Sequence, residues 1–347
     1  MRVGLFEDPV YREHDAGAGH PERPERLVAV EEAVRRADPE GELLVRAPRP
    51  ATGEELRAVH GAGTVDRVAA TEGRGGPLDP DTGTGPRSYA VALRAAGAVA
   101  GAVDEVLDGA LDRAFCSVRP PGHHATRQRS MGFCLFNNVA VGAARALDRG
   151  LERVAVLDFD VHHGNGTQDI FWSDPRVLFV SSHQFPFYPG TGAVDEVGEG
   201  EGRGFTVNLP MPAGLGDGEY ARVWREIGEP IGRAFDPQLV LISAGFDAHE
   251  DDPLGGMAVT AAGYAELADV CVSLADGAAK GRVVAVLEGG YSLEGLGQGA
   301  TALTARLLDR PSGRVRPASD SRTEALIAAY RKAQAPFWAA VSGEPGS

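Results

Sequence analysis

Seven short apolar runs alternate with segments of helical period along this chain, and that alternation constrains the fold more than any other feature. The runs are Val3–Phe6, Ala114–Val118, Val154–Leu157, Val177–Val180, Phe205–Leu209, Leu239–Ser243 and Val283–Leu287. Between most of them lie helix-like stretches at Pro24–Arg36, Ser88–Leu107, Asn137–Arg149, Gly218–Phe235 and Thr260–Asp276. Strands that are apolar on both sides of the pleat need cover on both faces, so the pattern predicts a parallel sheet between two layers of helices, an α/β fold. At 347 residues and 43% hydrophobic composition the chain can bury one large core. A single domain is expected over residues 1–310. Residues 311–347 start polar, as RPSGRVRPASDS from Arg310, and then show a helical pattern over Glu324–Trp338, which reads as an appended helix.

Charge and cysteine usage narrow the partners. The chain carries 34 Lys+Arg against 49 Asp+Glu, a formal net charge of −15. An acidic surface disfavours nucleic acid and tolerates cationic substrates such as lysine side chains or amines. Cys116, Cys134 and Cys271 lie far apart in or beside apolar stretches, with no CxxC. They read as buried thiols of a reducing cytoplasm. No apolar run approaches the ~20 residues of a membrane span, and the strand-like VGLF start lacks a signal-peptide pattern. A homo-oligomer is left open.

The chemistry concentrates in LDFDVHHGNG, Leu157–Gly166. The run Val154–Leu157 delivers Asp158, Asp160 and His162 at two-residue spacing, so all three can project from one face of an extended backbone. Two carboxylates and an imidazole at a strand end are costly to bury unless a cation neutralises them, which points to a metal site. Three other strand ends carry unusual polar residues: Arg119-Pro-Pro-Gly-His123-His124, Ser243-Ala-Gly-Phe-Asp247-Ala-His249, and Glu288-Gly-Gly-Tyr291. In a parallel sheet all four ends meet at one edge. There Asp160, His162 and Asp247 supply two oxygens and a nitrogen, the three-ligand set of a catalytic zinc with an open position. A lone Asp after a strand is more often a helix cap or turn residue, but that reading does not account for the set. Consecutive His123 and His124 each need a partner to fix the tautomer; Asp158 can serve one and Asn165 the other, which would make their basicities differ. The Gly-Gly before Tyr291 lets the chain turn and bring a phenol to the site, a good donor to an oxyanion beside a metal.

RPPGHH, LDFDVHHGNGTQ, SAGFDAH and EGGY, in this order and spacing, resemble the zinc-dependent histone deacetylase family, which includes acetylpolyamine amidohydrolases and acetoin-utilisation proteins. GHPERPERL at Gly19–Leu27 and FYPGTGAVDEVG at Phe187–Gly198 resemble it too, so the likeness covers about residues 1–310. It implies the arginase/deacetylase fold, with a mostly parallel eight-stranded sheet. It makes Asp160, His162 and Asp247 the Zn2+ ligands and His124 the general base that later protonates the leaving amine. His123, paired with Asp158, becomes its electrostatic partner, Asn165 tunes His124, and Tyr291 polarises the acyl carbonyl. Gly132, Phe133 and Tyr188 match the walls of the acyl-lysine channel, Arg26 an arginine of the internal channel behind the zinc, and Asp81 a rim aspartate. A structural K+ or Na+ is implied at Asp158, Asp160, His162, Ser181 and Ser182, and a second at Phe171, Asp174, Val177 and Phe205.

The resemblance also orders the substrates and the rivals. Asn165 stands where class I members have Asp, the class II pattern, and Tyr291 replaces the His of the weakly active class IIa, so turnover and hydroxamate binding are expected. Leu254, seven residues after Asp247, stands where a polyamine-selective member carries a Glu gatekeeper. An apolar side chain there favours acyl-lysine of a peptide or protein over acetylpolyamines or another small acetylated amine. A binuclear manganese ureohydrolase on the same fold needs a carboxylate where Gly164 stands, and Asp-x-Asp where Asp247 is followed by His249. A catalytically inert scaffold would be expected to lose one of these side chains, and the sequence keeps them all.

Overall fold

The computed structural model describes residues 1–310 and 313–342. Among the described residues ten strands form: β1 (Val3–Phe6), β2 (Leu44–Arg46), β3 (Gly76–Asp79), β4 (Thr82–Thr84), β5 (Arg113–Cys116), β6 (Val154–Asp158), β7 (Val177–Gln184), β8 (Thr206–Met211), β9 (Leu239–Ala244) and β10 (Val283–Leu287). Eight make one sheet in the order β2-β1-β5-β10-β9-β6-β7-β8, with every pairing parallel. β3 and β4 form a separate antiparallel hairpin. Each of the seven apolar runs is a strand of the large sheet. The eighth, β2, escapes the sequence reading because it is a three-residue, half-exposed edge strand. β5, β6, β9 and β10 are buried at every position, so both faces are covered, as the apolar runs require. Cys116, Cys134 and Cys271 are free and buried.

The helices depart from expectation in several places, two of them beside the strand ends that carry the polar motifs. Gly218–Phe235 is not one α-helix: a π-helical turn at Trp224–Gly228 separates Asp217–Val223 from Glu229–Phe235. Trp224 is buried there and donates its indole N–H to Ser182 Oγ at 3.0 Å, under the strand end of β7. Helix Leu293–Leu307 is absent from the sequence reading because Gly295, Gly297 and Gly299 dilute its apolar stripe. Two of these glycines are required by close approach. A Cβ at Gly299 would stand 2.1 Å from the Phe246 ring, and one at Gly295 would stand 2.5 Å from His249.

The C-terminal helix runs Ser321–Gln334, earlier than the Glu324–Trp338 pattern suggests, because Asp320 caps it by accepting from Arg322 N–H and Thr323 N–H. It packs beside β8, an edge of the sheet. Tyr330 Oη donates to Pro210 O at 2.7 Å and Trp338 Nε1 to Gly204 O at 2.8 Å, giving partners to carbonyls in and just before the edge strand. Of the extension 311–347, residues 311–312 and 343–347 lie outside the described residues.

Candidate active site

Strand order decides the site. β5, β10, β9 and β6 are consecutive neighbours, so the four polar motifs that follow them share one edge of the sheet. In the ladder Asp158 stands level with Ser243 on one side and Ser181 on the other. Just beyond, His162 Nδ1 lies 3.2 Å from Asp160 Oδ1 and 3.2 Å from Asp247 Oδ2. Candidate ligand atoms of the three residues all lie within 4.8 Å of one another. Tetrahedral zinc with bonds of about 2.0 Å holds neighbouring ligand atoms about 3.3 Å apart, so the spacing suits that ion. Burial and then the charge of Asp160 push Asp247 up to about 7, whereas His123 and His162 outweigh burial and hold Asp160 below the usual carboxylate range. Two fully buried carboxylates that compete for one imidazole are the chemistry of a cation site.

The backbone around these side chains leaves no spare room. Gly289 N–H donates to Asp160 Oδ2 at 2.8 Å and Val161 N–H to Asp247 Oδ1 at 2.9 Å. A Cβ at Gly245 would sit 2.0 Å from Asp160 Oδ2, and one at Gly289 would sit 2.1 Å from Asp247 Oδ2. A side chain at Gly164 would meet Asp158 Oδ2 at 2.3 Å, so the carboxylate a second metal needs has no place there. His249 faces elsewhere, with Nε2 3.2 Å from Gln298 Oε1 and its ring stacked over Tyr264.

The two histidines differ as their partners do. His123 Nδ1 lies 3.0 Å from Asp158 Oδ2, and His124 Nδ1 lies 2.8 Å from Asn165 Oδ1. Burial opposes charge on His123, but Asp160 and Asp158 outweigh it and lift its pKa to about 10. Burial, then His123 and His162, hold His124 well below its usual value. An Asn oxygen accepts the Nδ1 proton of neutral His124 and leaves the Nε2 lone pair free.

A cavity of about 430 Å³ opens above these groups, lined by His124, His162, Phe133, Phe187, Tyr188 and Tyr291 among others. Phe133 enters it from a two-residue turn in which Gly132 has φ +59° and Phe133 itself φ +67°. A left-handed Phe costs free energy, and the structure holds it from several sides. Gly132 N–H donates to Asp81 Oδ1, Phe133 N–H to Thr82 Oγ1, and the ring packs edge-on against His20 and Tyr291. Opposite, Tyr188 packs edge-on to His124 at 5.2 Å and Phe187 stacks on His162 at 5.4 Å. Asp252 fixes Tyr291 by accepting from the N–H groups of Tyr291 and Ser292 at 2.7 and 2.9 Å. Burial raises the Tyr291 pKa well above 10, so the phenol stays a donor.

Residues 20–307 match the histone deacetylase domain family. The chain belongs to that family. This histone deacetylase family member is 43% identical over 300 residues to a probable deacetylase of Archaeoglobus fulgidus, covering 85% of this chain and 83% of that one. It is 42% identical over 336 residues to the human polyamine deacetylase HDAC10, covering 91% of this chain and 49% of that protein. The solved HD domain of HDA15 superposes with a TM-score of 0.93 at 37% identity, over 99% of this chain and 98% of that one. The chain spans about half the length of several curated relatives it matches.

Within this deacetylase fold the other sequence-predicted residues fall in distinct places. Arg26 is buried behind Tyr291. Its guanidinium lies 5.0 Å from the Tyr291 ring and donates to Gly290 O and Glu288 O. Asp81 and Leu254 line the cavity. Ser181 Oγ lies 3.0 Å from His183 Nδ1, and Ser182 Oγ is taken by Trp224. Phe171, Asp174 and Val177 lie at the other end of β7, where Phe205 O accepts from Phe179 N–H. Sequence reasoning missed Asp252, Phe187 and the part Glu288 plays. The buried Glu288 accepts from the N–H groups of Gly122 and His123 at 2.6 and 3.1 Å, tying the histidine pair to β10. Glu288 had a signal, an acid closing an apolar strand; Asp252 had none, because its role depends on a residue 39 positions away.

Proposed function

We propose that this protein is a zinc-dependent amidohydrolase that removes acetyl or other acyl groups from lysine side chains of peptides or proteins. The observation that carries this reading is the triad Asp160, His162 and Asp247 at the floor of an aromatic-walled cavity, with a neutral histidine and a phenol beside it. Zinc, when bound, supplies Lewis acidity that polarises the acyl carbonyl and lowers the pKa of water. The protein supplies the rest. Phe133 and Tyr188 grip an aliphatic stem and exclude water. His124 Nε2 takes the proton of the attacking water and later delivers it to the leaving amine. Protonated His123, held by Asp158, stabilises the negative charge that develops in the tetrahedral state, and the Tyr291 hydroxyl donates to its oxyanion. The residues assigned above to structural K+ or Na+, a catalytic domain over 1–310 and a reducing, cytoplasmic setting belong to the same reading. Among the described residues no helix is long and apolar enough to cross a membrane.

A second reading, hydrolysis of an acetylpolyamine, draws on the likeness to the human polyamine deacetylase. Leu254 at the cavity wall weighs against it, because it offers a second ammonium no partner. Rates on acetyl-lysine peptides, longer acyl-lysines and acetylpolyamines decide between them. Preference for acetyl-lysine peptides by tenfold or more in kcat/KM is expected. The reverse preference establishes the second reading, and no turnover with no hydroxamate binding establishes an inert scaffold.

A further inference from the structure

Phe187 and Tyr188 belong to a loop that leaves β7 at Gln184, and its far end is held by a polar anchor with no part in the chemistry above. The Glu196 carboxylate accepts from Gly192 N–H at 3.0 and 3.1 Å, from Ala193 N–H at 3.1 Å and from Gln168 Nε2 at 2.5 Å. Gln168 Oε1 in turn accepts from His163 Nε2 at 3.0 Å and Asn208 Nδ2 at 2.8 Å, and Asn208 Nδ2 also donates to Glu196 O at 3.0 Å. His163 directly follows the ligand His162, and its Nδ1 accepts from Thr191 Oγ1 at 2.8 Å. His183 Nε2 donates to Gly192 O at 2.9 Å. Gly192, at φ +92°, lies so close on these rings that a Cβ would stand 2.4 Å from His183 Nε2 and 2.7 Å from His163 Cγ. The segment with the metal ligands and the loop with the aromatic wall are therefore one hydrogen-bonded unit. Glu196 is the anion in it that gathers the loop's N–H groups.

We propose that Glu196, acting through Gln168, is a positioning residue that sets the aromatic wall of the acyl-lysine channel, and so governs substrate binding rather than the chemical step. Without its carboxylate the Gly192 and Ala193 N–H groups lose their acceptor and Gln168 loses the group that orients its amide. The loop then shifts at Tyr188, the wall opposite Phe133, while His124, Tyr291 and the triad keep their own partners. A wall that touches the aliphatic stem binds substrate and transition state alike, so its loss raises KM and spares kcat.

The channel role rests on the deacetylase reading; the anchor does not, so the test has two arms. In the zinc-loaded 347-residue chain with an acetyl-lysine peptide, E196A is expected to raise KM about tenfold with kcat within about threefold. E196Q sets an amide N–H2 against the Gln168 donor and behaves similarly. The double exchange E196Q/Q168E reverses donor and acceptor and is expected to bring KM back to within about threefold of the parent. Unchanged KM in E196A, loss of kcat at constant KM, or no recovery in the double exchange would each overturn the proposal. In the second arm, hydrogen exchange on metal-free protein is expected to show the Gly192 and Ala193 amides losing about a hundredfold protection in E196A while the amides of β6 keep theirs. Unaltered protection there refutes the anchor whatever the enzyme hydrolyses. Absence of turnover in the parent with this exchange pattern intact counts against the function alone.

Discussion

Gly289→Ala probes the proposed metal centre through geometry alone, because Gly289 is not among the positive-φ glycines and alanine adds one methyl group to a tolerated backbone. That methyl would lie 2.1 Å from Asp247 Oδ2 and 2.6 Å from Asp160 Oδ2. The backbone cannot step back freely, since Gly289 O accepts from Phe246 N–H at 3.0 Å and its N–H is committed to Asp160. Asp247 Oδ2 must therefore retreat by about 1 Å, against a coordination tolerance of about 0.2 Å. If a zinc site of about 10 kcal/mol draws comparably on three ligands, losing one costs on the order of 3 kcal/mol, a hundredfold in affinity. The overpacked fold itself loses about 1–3 kcal/mol. Zinc affinity by competition with a chromophoric chelator, and Tm with and without EDTA, separate the two effects. The parent is expected to lose Tm on chelation and G289A to show a much smaller difference. The helical Gly297, whose nearest would-be neighbours stand at 3.5–4.0 Å, is the control, and G297A is expected to keep both zinc and fold. G289A that binds zinc within threefold of the parent and keeps the EDTA-sensitive gain in Tm would refute the assigned ligand geometry.

His124→Ala and Tyr291→Phe are each expected to lower kcat by about 10²–10⁴ with Tm nearly unchanged, and near-normal turnover in either variant would remove its role. Asp252→Ala frees the backbone of Tyr291 and is expected to cost roughly 10–100-fold in kcat while zinc stays bound; metal content and steady-state rates check it. His60 predicts an acid limb of stability. Its Nδ1 faces Thr126 O at 2.9 Å and its Nε2 accepts from Asn137 N–H at 2.9 Å, and burial depresses its pKa to about 4. The unfolded chain protonates near 6.5 and the folded one only near 4. Between those values the unfolded state binds more protons and stability falls with falling pH, by up to about 3 kcal/mol, levelling below pH 4. Buried His14 and His183, also lowered to about 4, add to the same slope, so urea unfolding between pH 7 and 4 should show H60Q, which keeps one donor and one acceptor, lose only the His60 share of it.

Much of this was legible in residue order. Apolar runs mark strands wherever both faces are buried, so the reading fails only at the three-residue edge strand β2, and the hairpin β3–β4 leaves no apolar trace in its Gly/Pro-rich segment. The glycine-rich helix Leu293–Leu307 hides because the contact that demands glycine, the face of Phe246, lies elsewhere in the sequence. Phe187 was passed over for its neighbour Tyr188 because sequence does not say that both rings turn inward.

What the sequence determined by itself is which strand ends carry carboxylate, imidazole and phenol, because apolar periodicity and composition are local properties. Only the tertiary structure decided that β5, β10, β9 and β6 are neighbours, that His162 Nδ1 comes within 3.2 Å of a carboxylate oxygen of both Asp160 and Asp247, and that one histidine faces Asp158 and the other Asn165. It also decided which backbone N–H groups Asp252, Glu288 and Glu196 accept from. Those pairings join residues up to 166 positions apart, and their distances follow from how helices and strands pack, which no local pattern encodes.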